Sequence, residues 1–129
     1  MDIPVEVGVT PALGIRGLLA ARDITAGDVI ERCPVVLIPV EQEAALEATV
    51  LANYYFLWDD DHYALALGYG SLHNHSYAAN VTFELDYAAA QIVFSAVRDV
   101  RRGEELTINY NGDPDDETPL HEGFDVQAL

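Results

Sequence analysis

The sequence predicts one small domain that is mostly β. Its 129 residues can bury one modest core but not two, and half of them are hydrophobic. Short alternating or apolar segments recur along the chain and end at glycine, proline or aspartate, as strands and turns do. Only residues 41–49 combine good helix formers with an acidic first turn, so one or two short helices are expected at most.

Local composition and the alternation of hydrophobic and polar residues predict the individual strands. Residues 81–87 and 91–100 alternate and are separated by a short alanine-rich turn, which predicts a hairpin. Residues 54–58 are aromatic and end at a run of aspartates, which predicts a solvated turn. The other expected strands, some of them broken by turn residues, are 5–10, 17–24, 29–40, 62–68 and 105–110.

One pattern occurs twice in the chain. Residues 21–30 and 97–106 both contain Arg-Asp-aliphatic, then two residues, then Gly-acid. Each copy predicts a strand, a turn at Gly27 or Gly103, and another strand. The two copies are too far apart for a solenoid repeat. We therefore expect two similar hairpins.

The charge restricts the partners. The chain has 22 acidic and 6 basic residues, all of the latter arginines, and a net charge of −16. This balance disfavours direct nucleic-acid contact, which depends on cations, and favours a basic protein partner; salt adaptation or solubility explains it equally. No apolar run has membrane-spanning length, no secretory signal is recognisable, and Cys33 is the single cysteine, so a cytoplasmic protein without membrane contact is expected.

Residues 71–80, SLHNHSYAAN, contain the densest group of candidate functional side chains. His73 and His75 would face one side of a strand, and Glu84 follows downstream. Neutral imidazoles and a carboxylate can bind iron, manganese or zinc, as in a small cupin-like β-barrel. Such a barrel needs a further histidine, and only His121 follows. Another alternative is that the cluster consists of satisfied turn and core residues without a function.

Three segments together indicate a family. Residues 74–80, NHSYAAN, and 103–110, GEELTINY, resemble the motifs Asn-His-Ser-Cys-x-Pro-Asn and Gly-Glu-Glu-Leu-Thr-aromatic-Asp-Tyr of the SET-domain protein-lysine N-methyltransferases. Residues 14–31, GIRGLLAARDITAGDVIE, resemble the opening segment of that family. The resemblance runs from about residue 5 to residue 111, in the order and spacing of the family. Residues 1–129 are thus expected to be one SET domain, of which 112–129 are an acidic C-terminal tail.

The sequence departs from the family pattern at four positions. Ile15 replaces the first glycine of Gly-x-Gly, Tyr77 replaces the cysteine of the asparagine motif, Ala79 replaces its proline, and Asn109 replaces the aspartate before the last tyrosine. The zinc-binding cysteine segments of many eukaryotic members are absent, so a minimal domain of the bacterial or viral kind is expected. The resemblance implies a β-clip-like fold of several small curved sheets, with a threaded C-terminal pseudoknot that brings 74–80 beside 103–110.

The resemblance also implies a cofactor, S-adenosyl-L-methionine, whose methyl group is transferred to a lysine amine. Tyr110 would be the catalytic residue and would orient the amine. The residues expected to border the cofactor are Arg16, Gly17, Leu18, Asn74 and His75. Of these, Arg16 is a candidate partner of the cofactor carboxylate. In the tail, Phe124 is expected to cover the cofactor.

The substrate channel would be lined by Phe83, Ile108 and Tyr110, with the aromatic segment 53–58 as a further wall or as core. Phenylalanine at position 83 and isoleucine at 108 predict a roomy channel that permits more than one methyl group, unless Phe83 is simply core. The expected substrate is a basic protein or peptide, such as a histone-like, ribosomal or DNA-binding protein, and a homodimer is compatible with the sequence. A non-catalytic SET-like peptide-binding module and the cupin-like barrel remain as alternatives.

Overall fold

The computed structural model describes residues 2–10 and 14–120. In this part of the chain, nine strands form two sheets, and a short α-helix, α1 (Glu43–Glu47), follows the third strand. The prediction of a mostly β fold with small sheets is confirmed. The strands are β1 (Val5–Val9), β2 (Arg16–Ala20), β3 (Val29–Pro39), β4 (Tyr55–Leu57), β5 (His62–Ala66), β6 (Asn74–His75), β7 (Val81–Asp86), β8 (Gln91–Ala96) and β9 (Glu105–Ile108).

The first sheet has the strand order β1-β2-β9-β6. β2 pairs antiparallel with β1 on one side and with β9 on the other. β6 pairs with β9 in the parallel direction. The last strand therefore lies between two segments that are distant from it in sequence, which is the arrangement expected of the pseudoknot.

The second sheet has the order β4-β5-β3-β8-β7, and its strands are antiparallel. The predicted hairpin is confirmed as β7 and β8. β3 was expected to be broken by turn residues, but it is continuous. It pairs with β8 as far as Pro34 and with β5 from Val35 onwards. The strand passes through the proline because Pro34 lies where the partner changes, a position at which an irregular ladder is tolerated.

The helix is shorter than residues 41–49. A 3₁₀ turn, Val40–Gln42, leads into α1. The helix ends before Thr49, whose hydroxyl donates to the carbonyl of Leu46 at 2.8 Å and accepts the amide of Leu51 at 3.2 Å. This side chain begins a second 3₁₀ helix, Val50–Asn53, because threonine oxygens compete with the backbone for the helical donors.

The two arginine–aspartate segments are not hairpins, so that prediction is wrong. Each one connects a strand of one sheet to a strand of the other, and the two pair with each other through Ile24 and Val100. Asp23 accepts the amide of Arg102 at 2.9 Å, and Asp99 accepts the amide of Ala26 at 2.8 Å. The repeated Arg-Asp pattern thus reflects a reciprocal exchange of side-chain bonds between two similar turns. Both turn glycines, residues 27 and 103, have positive φ, 89° and 90°.

One hydrophobic cluster joins the two sheets. Leu18 of β2 lies opposite Leu106 of β9, and both are fully buried, as are Ile92 and Phe94 of β8. Because the side chain of Leu18 is enclosed in this core, only its backbone can face a ligand. Across the described residues, helices are too short or too polar to span a bilayer.

Candidate functional site

The centre of the site is the contact between β6 and β9, which we call the crossing. Asn74 pairs with Thr107 and His75 with Ile108. Asn80 extends the contact, because its amide donates to the carbonyl of Glu105 at 2.8 Å and accepts the amide N–H of Thr107 at 2.9 Å. The asparagine motif and the Gly-Glu-Glu-Leu motif are therefore bound to each other through backbone and side chain.

Asn74 ties the crossing to β2. Its side-chain nitrogen donates to the carbonyl of Arg16 and to the carboxylate of Glu105, at 2.9 Å in each case. Gly17 lies directly beside these groups. A Cβ at residue 17 would come within 2.6–2.7 Å of Thr10, Asn74 and Glu105 side-chain atoms. Only glycine allows the three segments to approach this closely.

His75 is a neutral imidazole with a defined tautomer. Its Nδ1 accepts the backbone N–H of Tyr110 at 3.0 Å, so the ring proton is on Nε2. That Nε2 is buried and has no hydrogen-bond partner among the described residues. Burial lowers the pKa of His75. The ring lies between Tyr77 and Tyr110, with centroid distances of 4.4 Å and 5.1 Å.

Tyr110 follows the end of β9. Its hydroxyl donates to the backbone carbonyl of His73 at 2.8 Å. Burial raises the pKa of Tyr110, with smaller contributions from Tyr54 and Glu105. The phenol is therefore protonated at neutral pH, and its orientation is fixed by the carbonyl that it contacts.

His73 has the opposite tautomer to His75. Its Nδ1 lies 2.9 Å from the carbonyl of Gly70, an acceptor, so Nδ1 is protonated and Nε2 has the lone pair. This Nε2 is also buried without a partner in the part of the chain that the structure describes. The ring stacks on Phe94 with centroids 4.7 Å apart. Burial lowers the pKa of His73 to about 4, so the ring is neutral.

A cavity of about 680 Å³ lies beside the crossing. All three residues expected to line the substrate channel, Phe83, Ile108 and Tyr110, border it. None of the five residues expected to bind the cofactor is part of its wall. The other lining residues are Glu47, Ala52, Asn53, Tyr54, Tyr55, Phe56, Leu57, Ser71, His73, Asn111, Gly112 and Leu120.

The aromatic segment 53–58 was expected to be a channel wall or core; residues 53–57 line the cavity and Trp58 is buried core. Several other lining residues, such as Glu47, were missed by the sequence reasoning. The guanidinium of Arg16 donates to the hydroxyl of Tyr54 at 2.8 Å and lies 5.7 Å from its ring centroid. Arg16, expected beside the cofactor carboxylate, is thus directed at a tyrosine of the cavity. His73 was noticed only as a metal candidate.

Two departures from the family pattern act on one segment, residues 113–120, which we call the strap. Tyr77 donates its hydroxyl hydrogen to the carbonyl of Thr118 and accepts the amide of Leu120, each at 3.2 Å. Asn109 donates to the carbonyl of Asp116 at 2.6 Å. The replaced cysteine and aspartate positions therefore hold the strap against the cavity, where Leu120 lies. Phe124 and His121 lie outside the described residues.

The cupin-like alternative is not supported by the geometry. Among the described residues, no three histidine, cysteine, aspartate or glutamate side chains come close enough to bind a metal ion. His73 and His75 instead use their Nδ1 atoms in bonds to the backbone of Gly70 and Tyr110. The two histidines of the cluster are thus parts of the crossing and of the cavity wall.

Comparison with known proteins agrees with this geometry. Residues 15–111 match the SET domain family. A histone-lysine N-methyltransferase of Schizosaccharomyces pombe, specific for H3 lysine-37, is 35% identical over 108 residues, which are 83% of this chain and 73% of the relative.

Solved structures show the same fold. A crystallised candidate histone methyltransferase of Plasmodium falciparum has a TM-score of 0.70 at 25% identity, covering 85% of this chain and 95% of that one. The Polycomb Repressive Complex 2 of Chaetomium thermophilum, in an autoinhibited conformation bound to S-adenosylmethionine, gives 0.71 at 25% identity, over 85% of this chain but 15% of that chain. The chain therefore belongs to the SET domain family, and it is an S-adenosylmethionine-dependent protein-lysine methyltransferase.

Proposed function

We propose that this enzyme methylates a lysine in a basic protein segment, such as that of a histone-like, ribosomal or DNA-binding protein, with Tyr110 as the catalytic residue. The observation that carries the proposal is the crossing, because it puts Tyr110 on the wall of one cavity with Phe83 and Ile108. The net charge of −16 favours a basic partner. The Schizosaccharomyces pombe relative, named for a histone lysine, supports the same class of substrate.

The residues present fit the cofactor. The space that a side chain at Gly17 would need is occupied by Thr10, Asn74 and Glu105, so Gly17 would contact the cofactor only through its backbone. Two buried polar atoms, Thr10 Oγ1 directly after β1 and His75 Nε2 on β6, have no partner among the described residues. An unpaired buried donor costs free energy unless a ligand or water satisfies it. Hydroxyl and imidazole N–H groups suit the carboxylate, ribose and adenine of S-adenosylmethionine. We propose that Arg16, Gly17, Leu18, Asn74 and His75 border it, Leu18 through its backbone.

When bound, the cofactor supplies an electrophilic methyl group on a sulfonium ion. The substrate lysine must present a neutral amine in line with it. Free lysine has a pKa of about 10.4, and a low-dielectric wall lowers it. The cavity provides such a wall with Phe56 and Phe83, whose ring centroids are 5.0 Å apart. No dedicated general base is then required.

Orientation is the role of Tyr110. Its hydroxyl is held by the His73 carbonyl and its backbone by His75, so the phenol is fixed from both ends. Holding reacting groups near contact distance contributes several kcal/mol to catalysis. The aromatic residues Tyr54, Tyr55 and Phe56 also line the cavity that the lysine side chain would enter.

The test is methyl transfer from labelled S-adenosylmethionine to a lysine-rich protein. The enzyme contains no lysine, so label on a lysine side chain belongs to the added substrate. Tyr110→Phe should lower the rate by about a hundredfold or more. The matched control is Tyr87→Phe, which also removes a phenol bond of 2.8 Å to a backbone carbonyl, that of Trp58, but outside the cavity. It should keep the wild-type rate.

Other results would decide against this assignment. Full activity in Tyr110→Phe would remove Tyr110 from its role. A wild-type chain that binds basic peptides but never methylates them would favour the non-catalytic module. The cytoplasmic location, the absence of nucleic-acid contact and a homodimer remain predictions.

A further inference from the structure

The cavity wall contains a single charged side chain, that of Glu47, among the residues that the structure describes. Glu47 is the last residue of α1 and is exposed. The rest of the wall is aromatic, aliphatic, amide, hydroxyl or neutral imidazole. This exposed carboxylate lies on the same cavity wall as the half-buried Tyr110, so a substrate that enters from solvent can reach it. A lone negative charge there favours a cation.

This carboxylate is held in place. Tyr55, another wall residue, donates its hydroxyl hydrogen to Oε1 of Glu47 at 2.6 Å. The ring of Tyr55 in turn packs on Tyr63, with centroids 4.8 Å apart. Across the described residues, the one ion pair joins His62 and Asp59, so Glu47 has no arginine partner. A fixed carboxylate loses less side-chain entropy when it binds a cation.

The chain contains a matched pair for comparison. One turn earlier on α1, Glu43 accepts a hydrogen bond from the hydroxyl of Tyr63. This second phenol–carboxylate pair has the same chemistry and the same helix, but neither Glu43 nor Tyr63 borders the cavity. The bond alone therefore does not identify a binding residue; the position of Glu47 on the cavity wall does.

A second group on the same wall also lacks a partner. His73 is 2% exposed, and its Nε2 has a lone pair and no donor among the described residues. The Nε2 atom itself is not exposed to the cavity, so among the described residues the carboxylate of Glu47 is the charged group that a basic ligand would meet on this wall.

We propose that Glu47 is a specificity residue that binds the side chain of a basic residue next to the target lysine. The inference rests on the proposed function, in which the target lysine extends to Tyr110. A lysine bound in this way leaves its own backbone at the mouth of the cavity, so its sequence neighbours lie against the exposed carboxylate. Tyr55 is then a positioning residue that orients Glu47.

The experiment uses two short synthetic peptides, each with one lysine, flanked by arginine in one and by glutamine in the other. The wild-type enzyme should have a KM lower by about threefold for the arginine peptide, as for an exposed ion pair, and high salt should reduce the difference. Glu47→Gln should remove the preference. Glu43→Gln should retain it. Tyr55→Phe should weaken it through KM, because the carboxylate remains but is no longer oriented.

Several outcomes would overturn the inference. The first is a wild type with no preference for the arginine peptide, and the second is a Glu47→Gln variant that keeps the preference. The third is a Glu43→Gln variant that loses the preference as much as Glu47→Gln does, which would indicate the general electrostatic field of an acidic protein. If neither peptide is methylated, the proposed function fails separately. Binding of the fluorescently labelled peptides to the same variants, measured by anisotropy, then decides the role of Glu47.

Discussion

The crossing and the cavity share strand β9 but use their side chains differently. At the crossing, the side-chain amides of Asn74 and Asn80 form hydrogen bonds with Arg16, Glu105 and Thr107. In the cavity, Phe83 and Tyr54 form part of the wall of an open space. The motif residues that resemblance assigns to cofactor binding thus also hold the fold together. Substitutions at the crossing should act mainly on stability, and those in the cavity mainly on activity.

The largest effect is expected for Asn80→Ala at the crossing. Asn80 is 2% exposed, and its loss leaves the carbonyl of Glu105 and the amide of Thr107 buried without partners. At about 2 kcal/mol for each group, the free energy of unfolding should fall by about 4 kcal/mol. Denaturant titration measures this. Asn80→Asp keeps the oxygen that accepts the Thr107 amide, so it should lose less stability than Asn80→Ala. An Asn80→Ala variant that is stable but inactive would contradict the division between crossing and cavity.

His73 should be an exception to the division between crossing and cavity, because it lines the cavity but its protonation should lower stability. Its pKa in the folded state is about 4, against 6.5 for the ordinary group. Between these values the unfolded chain binds the proton and the folded chain does not, so stability is lost as the pH falls from 6.5 towards 4. The full difference corresponds to about 3 kcal/mol.

The measurement for His73 is the free energy of unfolding at several pH values. Many carboxylates titrate in the same range, so the wild type must be compared with His73→Phe, which keeps a ring against Phe94 but has no proton to gain. The variant should lose less stability on acidification than the wild type. Parallel curves for the two proteins would show that His73 is not kept neutral by burial.

A smaller effect is expected for Tyr77→Phe, which tests how the strap is held. The hydroxyl of Tyr77 bonds the backbone of Thr118 and Leu120 on an exposed part of the molecule, so global stability should change by about 1 kcal/mol or less. Local opening should increase. Hydrogen exchange at the amide of Leu120 should become faster, while exchange in the core strand β8 stays unchanged. Equal exchange in both proteins would show that Asn109 and Asn111 hold the strap alone.

The sequence predicted the strands other than β4 and β6, because hydrophobic alternation is local information. The residues of the crossing came from resemblance, since nothing in the period of 74–80 indicates that it pairs with 105–108. The paired turns were misassigned as hairpins because Asp23 and Asp99 bond across the chain to Arg102 and Ala26. In the sequence, the only sign of such long-range hydrogen bonds is a repeated motif.

Cavity residues were harder to predict than residues of the crossing. Glu47 was indistinguishable from the other acidic residues of the predicted helix 41–49, and only the fold shows that it borders the cavity while Glu43 does not. Tyr54 stood in an aromatic run that resembles core. Tertiary packing decides which of several similar side chains faces a cavity. The local sequence pattern does not contain this information.

The smallest expected effect concerns the number of methyl groups transferred. Phe83 was expected either to border the substrate channel or to belong to the core; in the structure it lines the cavity and also packs against the core. Its ring packs edge-on against Phe56 at 5.0 Å and lies 6.1 Å from Phe94. The ring position is therefore set by core packing, while the residue also borders the cavity that the proposed substrate amine would enter.

Because phenylalanine at position 83 adds no hydroxyl to this space, the wild type should produce di- or trimethyl lysine as well as monomethyl lysine. Phe83→Tyr should shift the products towards monomethyl by a few-fold, equivalent to about 1 kcal/mol, since a hydroxyl there can bind a water or the amine and hinder its rotation for a second transfer. The first transfer should continue at a similar rate. Mass spectrometry of the peptide with excess cofactor measures the ratio. Only monomethyl product from the wild type at long times would show that Phe83 does not set the limit.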